Sequence, residues 1–169
     1  MTVPALTTDR LILRAPRPED FETYTAFYAS PRSLFVGGPR ERLENWFTFL
    51  ALGGHWALRG FGYWMVERRD TGALIGSLGI IEHDGWPEPE LGWQLFDAAV
   101  EGQGYAREGA MAARDWAAAR GMGPLVSLIH PMNDRSIALV RRLGAVEEGS
   151  FDSPFGALTV WRHPLGGRA

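Results

Sequence analysis

The chain has 169 residues, 46% of them hydrophobic and 22% charged, with a formal net charge of −3. That balance suits one soluble globular domain with a sizeable core; it excludes a disordered chain and, with no run of basic residues, argues against nucleic acid as the main partner. The absence of cysteine removes disulfides, thiolate nucleophiles and Cys-bearing zinc sites, and the 4 histidines show no metal-ligand spacing, so no metal is expected.

The N-terminus Met1-Thr2-Val3-Pro4-Ala5-Leu6 carries no basic region ahead of an apolar block, and no apolar run reaches membrane-spanning length. A cytoplasmic protein with no membrane association is the expectation. Residues 10–14, Arg-Leu-Ile-Leu-Arg, read as a short strand, and Pro16 and Pro18 lead into a helix on which Phe21, Tyr24, Phe27 and Tyr28 recur at helical spacing. A second helix is expected from about Pro39, with Leu43, Trp46, Phe47 and Leu50 on one face and a stop at Gly53-Gly54. Tyr63 to Arg68 and Leu74 to Glu82 flank Asp70-Thr71-Gly72-Ala73 and should pair antiparallel through a hairpin turn. Leu91 to Phe96 follows a Pro-containing loop, Asp84 to Pro89, as a third strand.

An alanine-rich helix then runs to Gly121, with Gly123-Pro124 as its stop, and Leu125 to His130 is an apolar strand ended by Pro131. Asn133 is placed to cap a helix carrying Ile137, Val140 and Leu143, with Gly144 at its C-terminal cap. Further strands are expected around 145–150 and 158–162. The helix between the third strand and Leu125 to His130 makes a crossover, which sets those two strands parallel in an otherwise antiparallel sheet. The expected fold is therefore α/β (α+β): one domain over residues 1–169, with a mixed, mostly antiparallel sheet of about six or seven strands and about four helices.

The most informative segment lies before the alanine-rich helix, at Glu101-Gly-Gln-Gly-Tyr-Ala106. Gly102 and Gly104 permit a tight turn, and the amides of Gln103, Gly104, Tyr105 and Ala106 are among those a helix start leaves unpaired. Lying between the carboxyl end of a strand and the amino end of a helix, the turn suits an anion such as a phosphate. A dinucleotide fingerprint fails, because Arg107 stands where its third glycine belongs, and there is no Gly-Lys-Ser or Gly-Lys-Thr for a nucleotide phosphate loop.

In order and spacing the chain resembles the GCN5-related N-acetyltransferases (GNAT), in the branch that acetylates ribosomal proteins. The resemblance rests on residues 6–14, Ile75-Gly-Ser-Leu-Gly79, Pro89-Glu-Leu-Gly-Trp93, the turn through Glu108, and Asn133-Asp-Arg-Ser-Ile137 leading to Arg142-Leu-Gly144. It implies acetyl-coenzyme A as co-substrate, transfer of acetyl to a primary amine by direct attack on the thioester, and a pyrophosphate held by the glycine turn. The family pattern maps onto Glu101, Gly104 and Ala106, and Glu101 departs from the expected Gln or Arg. Its carboxylate is expected to turn away, leaving affinity to the amides of Gln103, Gly104, Tyr105 and Ala106.

The resemblance and a position between polar loop and apolar strand make Glu90 the candidate base, with His83, Glu88 and His130 as substitutes. Where many relatives carry a Tyr acid, Val140 stands here, and the resemblance implies Ser136 as its replacement at the departing thiolate. It also places Asn133, Ser136 and the strand residues Trp93 and Leu95 along the pantetheine arm. The aromatic segment 55–64 and the loop 83–88 are expected to flank the acceptor, with Trp56, Trp64, Trp86 and Trp93 near it and Asp84, Glu88 and Glu90 as acid groups. The acceptor, a small molecule or a peptide amine, stays open, as do a homodimer, a longer acyl donor and a non-catalytic acyl-coenzyme A sensor.

Overall fold

The computed structural model describes residues 2–154 and 156–164. In chain order the elements are β1 (Leu6–Thr7), β2 (Leu11–Arg14), α1 (Phe21–Tyr28), α2 (Arg42–Arg59), β3 (Tyr63–Arg68), β4 (Leu74–Ile81), β5 (Glu90–Leu95), α3 (Tyr105–Ala118), β6 (Val126–Ile129), α4 (Asp134–Arg142), β7 (Val146–Ser153) and β8 (Gly156–Arg162). Short 3₁₀ turns occupy Pro18–Asp20, Pro31–Val36 and Ala98–Val100. The strands form one eight-stranded sheet in the order β1-β2-β3-β4-β5-β6-β8-β7. The strand beyond those read from the sequence is β1, two residues long and paired to β2 through Leu6↔Leu13 and Thr7↔Ile12. As the crossover required, β5 and β6 run parallel while the other neighbouring strands run antiparallel.

The two faces of the sheet carry separate cores. On one, α3 packs Tyr105, Ala110, Ala113 and Ala117 over Leu11, Leu13, Leu78, Ile80 and Leu91. Close approach explains the small residues: a side-chain carbon added at Gly109 would lie 2.4 Å from Leu78 Cδ2. On the other face, α1 and α2 set Phe21, Tyr24, Phe27, Tyr28, Phe49 and Leu52 over Tyr63 and Met65. A largely buried triad ties this layer to the sheet, the Arg14 guanidinium holding Asp20 at 2.8 Å and Glu67 at 2.6 Å.

Two expectations are corrected here. The helix α2 does not stop at Gly53-Gly54 but continues to Arg59 and ends at Gly60, which is left-handed at φ 77°. Its buried positions Asn45, Phe49, Leu52 and Trp56 recur at helical spacing past the glycines. Each glycine costs about 1 kcal/mol in a helix interior, less than the roughly 1.5–3 kcal/mol that burial of one large apolar side chain returns. Trp56 and Trp64 do not flank a ligand: they pack edge to face at 4.8 Å and both meet Trp116 in the core.

Replacing Gly109 with Ala is expected to lower the urea midpoint, by about 1–3 kcal/mol of overpacking against Leu78, even though Ala is the better helix former. An unchanged or raised midpoint would show that α3 can lift from the sheet without penalty.

Candidate functional site

The parallel pair that joins the two halves of the sheet is barely a pair. Only Glu90↔Val126 is in register, whereas β4 and β5 share six partners and β6 and β8 share four. Beyond that point β5 and β6 diverge, and backbone groups that a ladder would use lose their partners. Side chains take up part of the deficit. Ser127 Oγ donates to the Leu91 carbonyl at 2.5 Å, and Arg32 donates to the Leu95 carbonyl at 3.1 Å. Since the Ser127 proton is spent on Leu91, the 2.8 Å contact to His163 makes His163 Nε2 the donor. Burial, with Arg114 nearby, pushes this imidazole down to about 4, so it stays neutral.

The gap opens into a cavity of about 330 Å³. Its walls include Trp93, Gln94 and Leu95 of β5, the turn Gly102, Gly104, Tyr105 and Ala106, and Asn133 and Ser136 at the start of α4. Phe27, Phe35 and Val36 close it from the side of α1. Because strand residues alternate in direction and Leu91 presents its carbonyl to β6, Trp93 and Leu95 turn their backbone groups to the gap as well. At the mouth Gly104 is left-handed at φ 84° and caps α3. The first helical bond runs from Glu108 N to the Gly104 carbonyl at 3.0 Å, which leaves the amides of residues 104–107 outside the helical ladder and directed at the mouth. Asn133 caps α4 as its spacing required, its side chain accepting from Ser136 N at 3.3 Å.

The charge at the mouth differs from expectation. Glu101 does not turn away: its carboxylate accepts from Arg32 at 2.6 Å and from Arg135 at 2.9 and 3.0 Å. Partial burial pushes this carboxyl up, but the two guanidinium groups outweigh it and hold it below the usual carboxylate range. Arg32 keeps a buried Nε without a partner. Arg107 and Arg142 complete a basic rim.

Of the candidate cofactor residues, Trp93, Leu95, Gly104, Tyr105, Ala106, Asn133 and Ser136 line this one cavity. Gln103 does not: its side chain turns back to the Ala99 carbonyl at 2.6 Å, and its own carbonyl takes Arg10 at 2.9 Å. Glu90, at the start of β5, is not among the residues that line the cavity; burial pushes its carboxyl up to about 8 against the pull of the Leu128 N–H. Beside it lies Tyr63, part of the aromatic segment 55–64, whose partnership with Glu90 the sequence did not reveal. A side-chain carbon at Gly92 would lie 1.8 Å from the Tyr63 hydroxyl and 3.6 Å from Glu90 Oε1, so the absent side chain makes room for both. Gln94, whose Oε1 accepts Ser77 at 2.7 Å, faces the same hydroxyl with its amide. Burial first, and Glu90 second, raise the Tyr63 phenol well above its ordinary value, so it is a neutral donor. The only sequence sign of this cluster is a pair of glycines, Gly79 and Gly92, opposite Tyr63 across three strands.

None of the substitute bases lines the cavity either. Glu88 pairs with Arg162 at 2.6 Å, and the His83 ring lies tilted against Trp86 at 4.5 Å. His130 accepts Met132 N on Nδ1 at 3.1 Å and stacks on Phe35 at 4.9 Å, so only its Nε2 could face a ligand. His55 bridges the Phe61 carbonyl at 2.6 Å and Glu82 N at 3.2 Å, a tie between α2 and the sheet. Of the four tryptophans expected near the acceptor, Trp93 lines the cavity.

A family model described as "Acetyltransferase (GNAT) domain" matches residues 10–146. The chain is 38% identical to an acetyltransferase of known crystal structure from Agrobacterium tumefaciens, with 97% of this chain and 96% of that one covered and a TM-score of 0.89. It is 28% identical over 149 residues to the Bacillus subtilis protein YkkB, covering 82% of this chain and 83% of the relative. The fold also matches RimL, a ribosomal L7/L12 α-N-protein acetyltransferase solved in complex with coenzyme A, at 16% identity, 96% and 98% coverage and a TM-score of 0.79. Among the described residues no helix is long and apolar enough to cross a membrane.

The raised Glu90 carboxyl sets a pH dependence. In the folded chain it keeps its proton up to about 8, whereas unfolded it loses it near 4.5, so its contribution to stability is full below 4.5 and is lost as pH rises through 8. Glu90→Gln should therefore melt like the parent at pH 4.5 and above it at pH 8.5, measured by calorimetry. A variant that melts lower at pH 8.5 would mean that the carboxyl is ionised and paired in the folded state.

Proposed function

The chain belongs to the GNAT acetyltransferase family, and on that premise we propose that residues 1–169 act as one acetyl-coenzyme A-dependent N-acetyltransferase domain, of the ribosomal-protein branch, that acetylates a primary amine. The observation that carries this reading is the parted β5–β6 pair opening directly onto the amides of residues 104–107. An extended pantetheine arm can take the place of the missing ladder beside Trp93 and Leu95. The helix start and the rim of Arg32, Arg135, Arg107 and Arg142 suit the pyrophosphate that ends the arm.

In the transfer, the neutral amine nitrogen bonds to the thioester carbonyl carbon while both are held in line. The carbonyl oxygen takes up the developing charge next to a β5 amide, the C–S bond then breaks, and the electron pair leaves on sulfur. Glu90 receives the proton that the acceptor ammonium must lose, through water, because it does not itself line the cavity. A carboxyl near 8 is matched to an amine far better than an ordinary one. Tyr63 and Gln94 hold the polar side of this route. The nitrogen of the adduct gives up its remaining extra proton as the amide forms, and Ser136, or a water that it holds, relays that proton to the departing sulfur; Val140, where many relatives carry an acid, is fully buried and takes no part.

Glu90→Gln should lower kcat by about 10²-fold or more and abolish the rise in rate as pH approaches 8, with acetyl-coenzyme A affinity retained. Parent-like turnover and pH profile would remove Glu90 as the base. Gly104→Val forces a β-branched residue into φ 84° at the mouth, and calorimetry should show loss of acetyl-coenzyme A binding in a folded protein. Unchanged affinity would sink the phosphate-site reading. A thiol-release screen with an amine panel distinguishes an acceptor-using enzyme from a sensor, which would bind the donor and release no thiol.

A further inference from the structure

The helix α2 is apolar on two opposite sides. One buries Asn45, Phe49, Leu52 and Trp56. The other carries Leu43, Phe47, Leu50 and Leu58 along a single row, exposed by 67%, 62%, 51% and 87%, with Trp46 at its edge exposed by 41%. A surface helix of a monomer turns polar residues outward, so a second apolar stripe calls for a second covering. Taking about 200 Å² for a large side chain in full exposure, these residues present roughly 600 Å², the upper end of what a monomer shows.

We propose that this stripe is covered by the same stripe of a second copy of the chain, as a two-fold symmetric, antiparallel α2–α2 interface. Area is the first argument. A patch meeting its own copy buries about 1,200 Å² in total, within the range of specific interfaces and above the roughly 1,000 Å² that a biological contact should clear.

Self-complementarity is the second. The interior of α2 holds Gly53 and Gly54, yet a side-chain carbon at either would meet nothing within 4 Å, so no contact inside the molecule requires a glycine there. Two glycines in a helix interior weaken the helix with no return from their own fold. Gly54, on the row of Leu43, Phe47, Leu50 and Leu58, gains one from its place in the stripe. With the two-fold axis at the midpoint of Arg42–Arg59, antiparallel packing sets Leu43 against Leu58, Phe47 against Gly54, and Leu50 against Ala51 beside the axis. The aromatic ring of each copy then enters the hollow left by the glycine of the other. A parallel pair would oppose Phe47 to Phe47 and Gly54 to Gly54, so the distribution of bulk selects the antiparallel arrangement.

Sedimentation equilibrium at tens of micromolar protein tests this. The parent is expected at twice the 18.7 kDa chain mass and Phe47→Asp at the single-chain mass, with unchanged far-UV circular dichroism because Phe47 is exposed in the isolated chain. The chain contains no cysteine, which permits a second measurement that does not depend on that variant. Leu50→Cys, beside the axis, should form a disulfide-linked dimer on mild oxidation, since helices in close contact bring Cα atoms near the two-fold within the roughly 4.4–6.8 Å that the bond requires. Leu34→Cys, exposed on the Pro31–Val36 turn, should not. A parent at single-chain mass, a Phe47→Asp variant that stays dimeric, or Leu50→Cys that cross-links no better than Leu34→Cys would each overturn the proposal.

Discussion

The site depends on one irregularity of the sheet: β5 and β6 meet at Glu90↔Val126 and then part. Buried backbone groups without partners are costly, so such a gap persists only if other groups answer them. Here Ser127 takes the Leu91 carbonyl and Arg32 the Leu95 carbonyl, while the Glu90 carboxyl faces the Leu128 N–H at the closed end. What stays open lies between, at the backbone of Trp93 and the N–H of Leu95, along the cavity wall. The fold thus keeps a gap between two strands whose ends are closed by side chains.

The same arrangement accounts for the charge at the mouth. An acidic residue at position 101 looks adverse to an anion site when the turn is read alone. In three dimensions its carboxylate gathers Arg32 from the Pro31–Val36 turn and Arg135 from α4. Two cations outnumber one anion, and they come from segments about 70 and 34 residues away in sequence, as the pairings themselves record. Arg32 serves both functions, sealing β5 and lining the mouth, so the closure of the cavity by Phe35 and Val36 is tied to the same guanidinium.

Much of this was legible before any coordinates. The crossover between residues 96 and 125 required a parallel pair, the glycine turn marked the start of α3, and Asn133 with Ser136 marked the cap of α4. These features are local, set by spacing and by what a helix end needs. What escaped is non-local. Tyr63 enters the Glu90 cluster because register places it opposite Gly79 and then Gly92, which no short window displays. Arg32 reads as a surface residue after a proline until the gap in the sheet gives it a carbonyl to satisfy. The apparent helix stop at Gly53-Gly54 was a local signal overruled by burial of Trp56 one turn further on, and the aromatic richness of 55–64 suggested a ligand wall where Trp56 and Trp64 instead fill the core.

The central claim is that the parted strands and the helix start behind them form one acyl-coenzyme A site. A crystal structure of the protein with coenzyme A tests it most directly. The account predicts the pantetheine arm between β5 and β6 with hydrogen bonds to the backbone of Trp93 and Leu95, and the pyrophosphate within hydrogen-bond distance of the amides of residues 104–106. Coenzyme A seated elsewhere on the molecule, with the β5–β6 gap left to water, would contradict it.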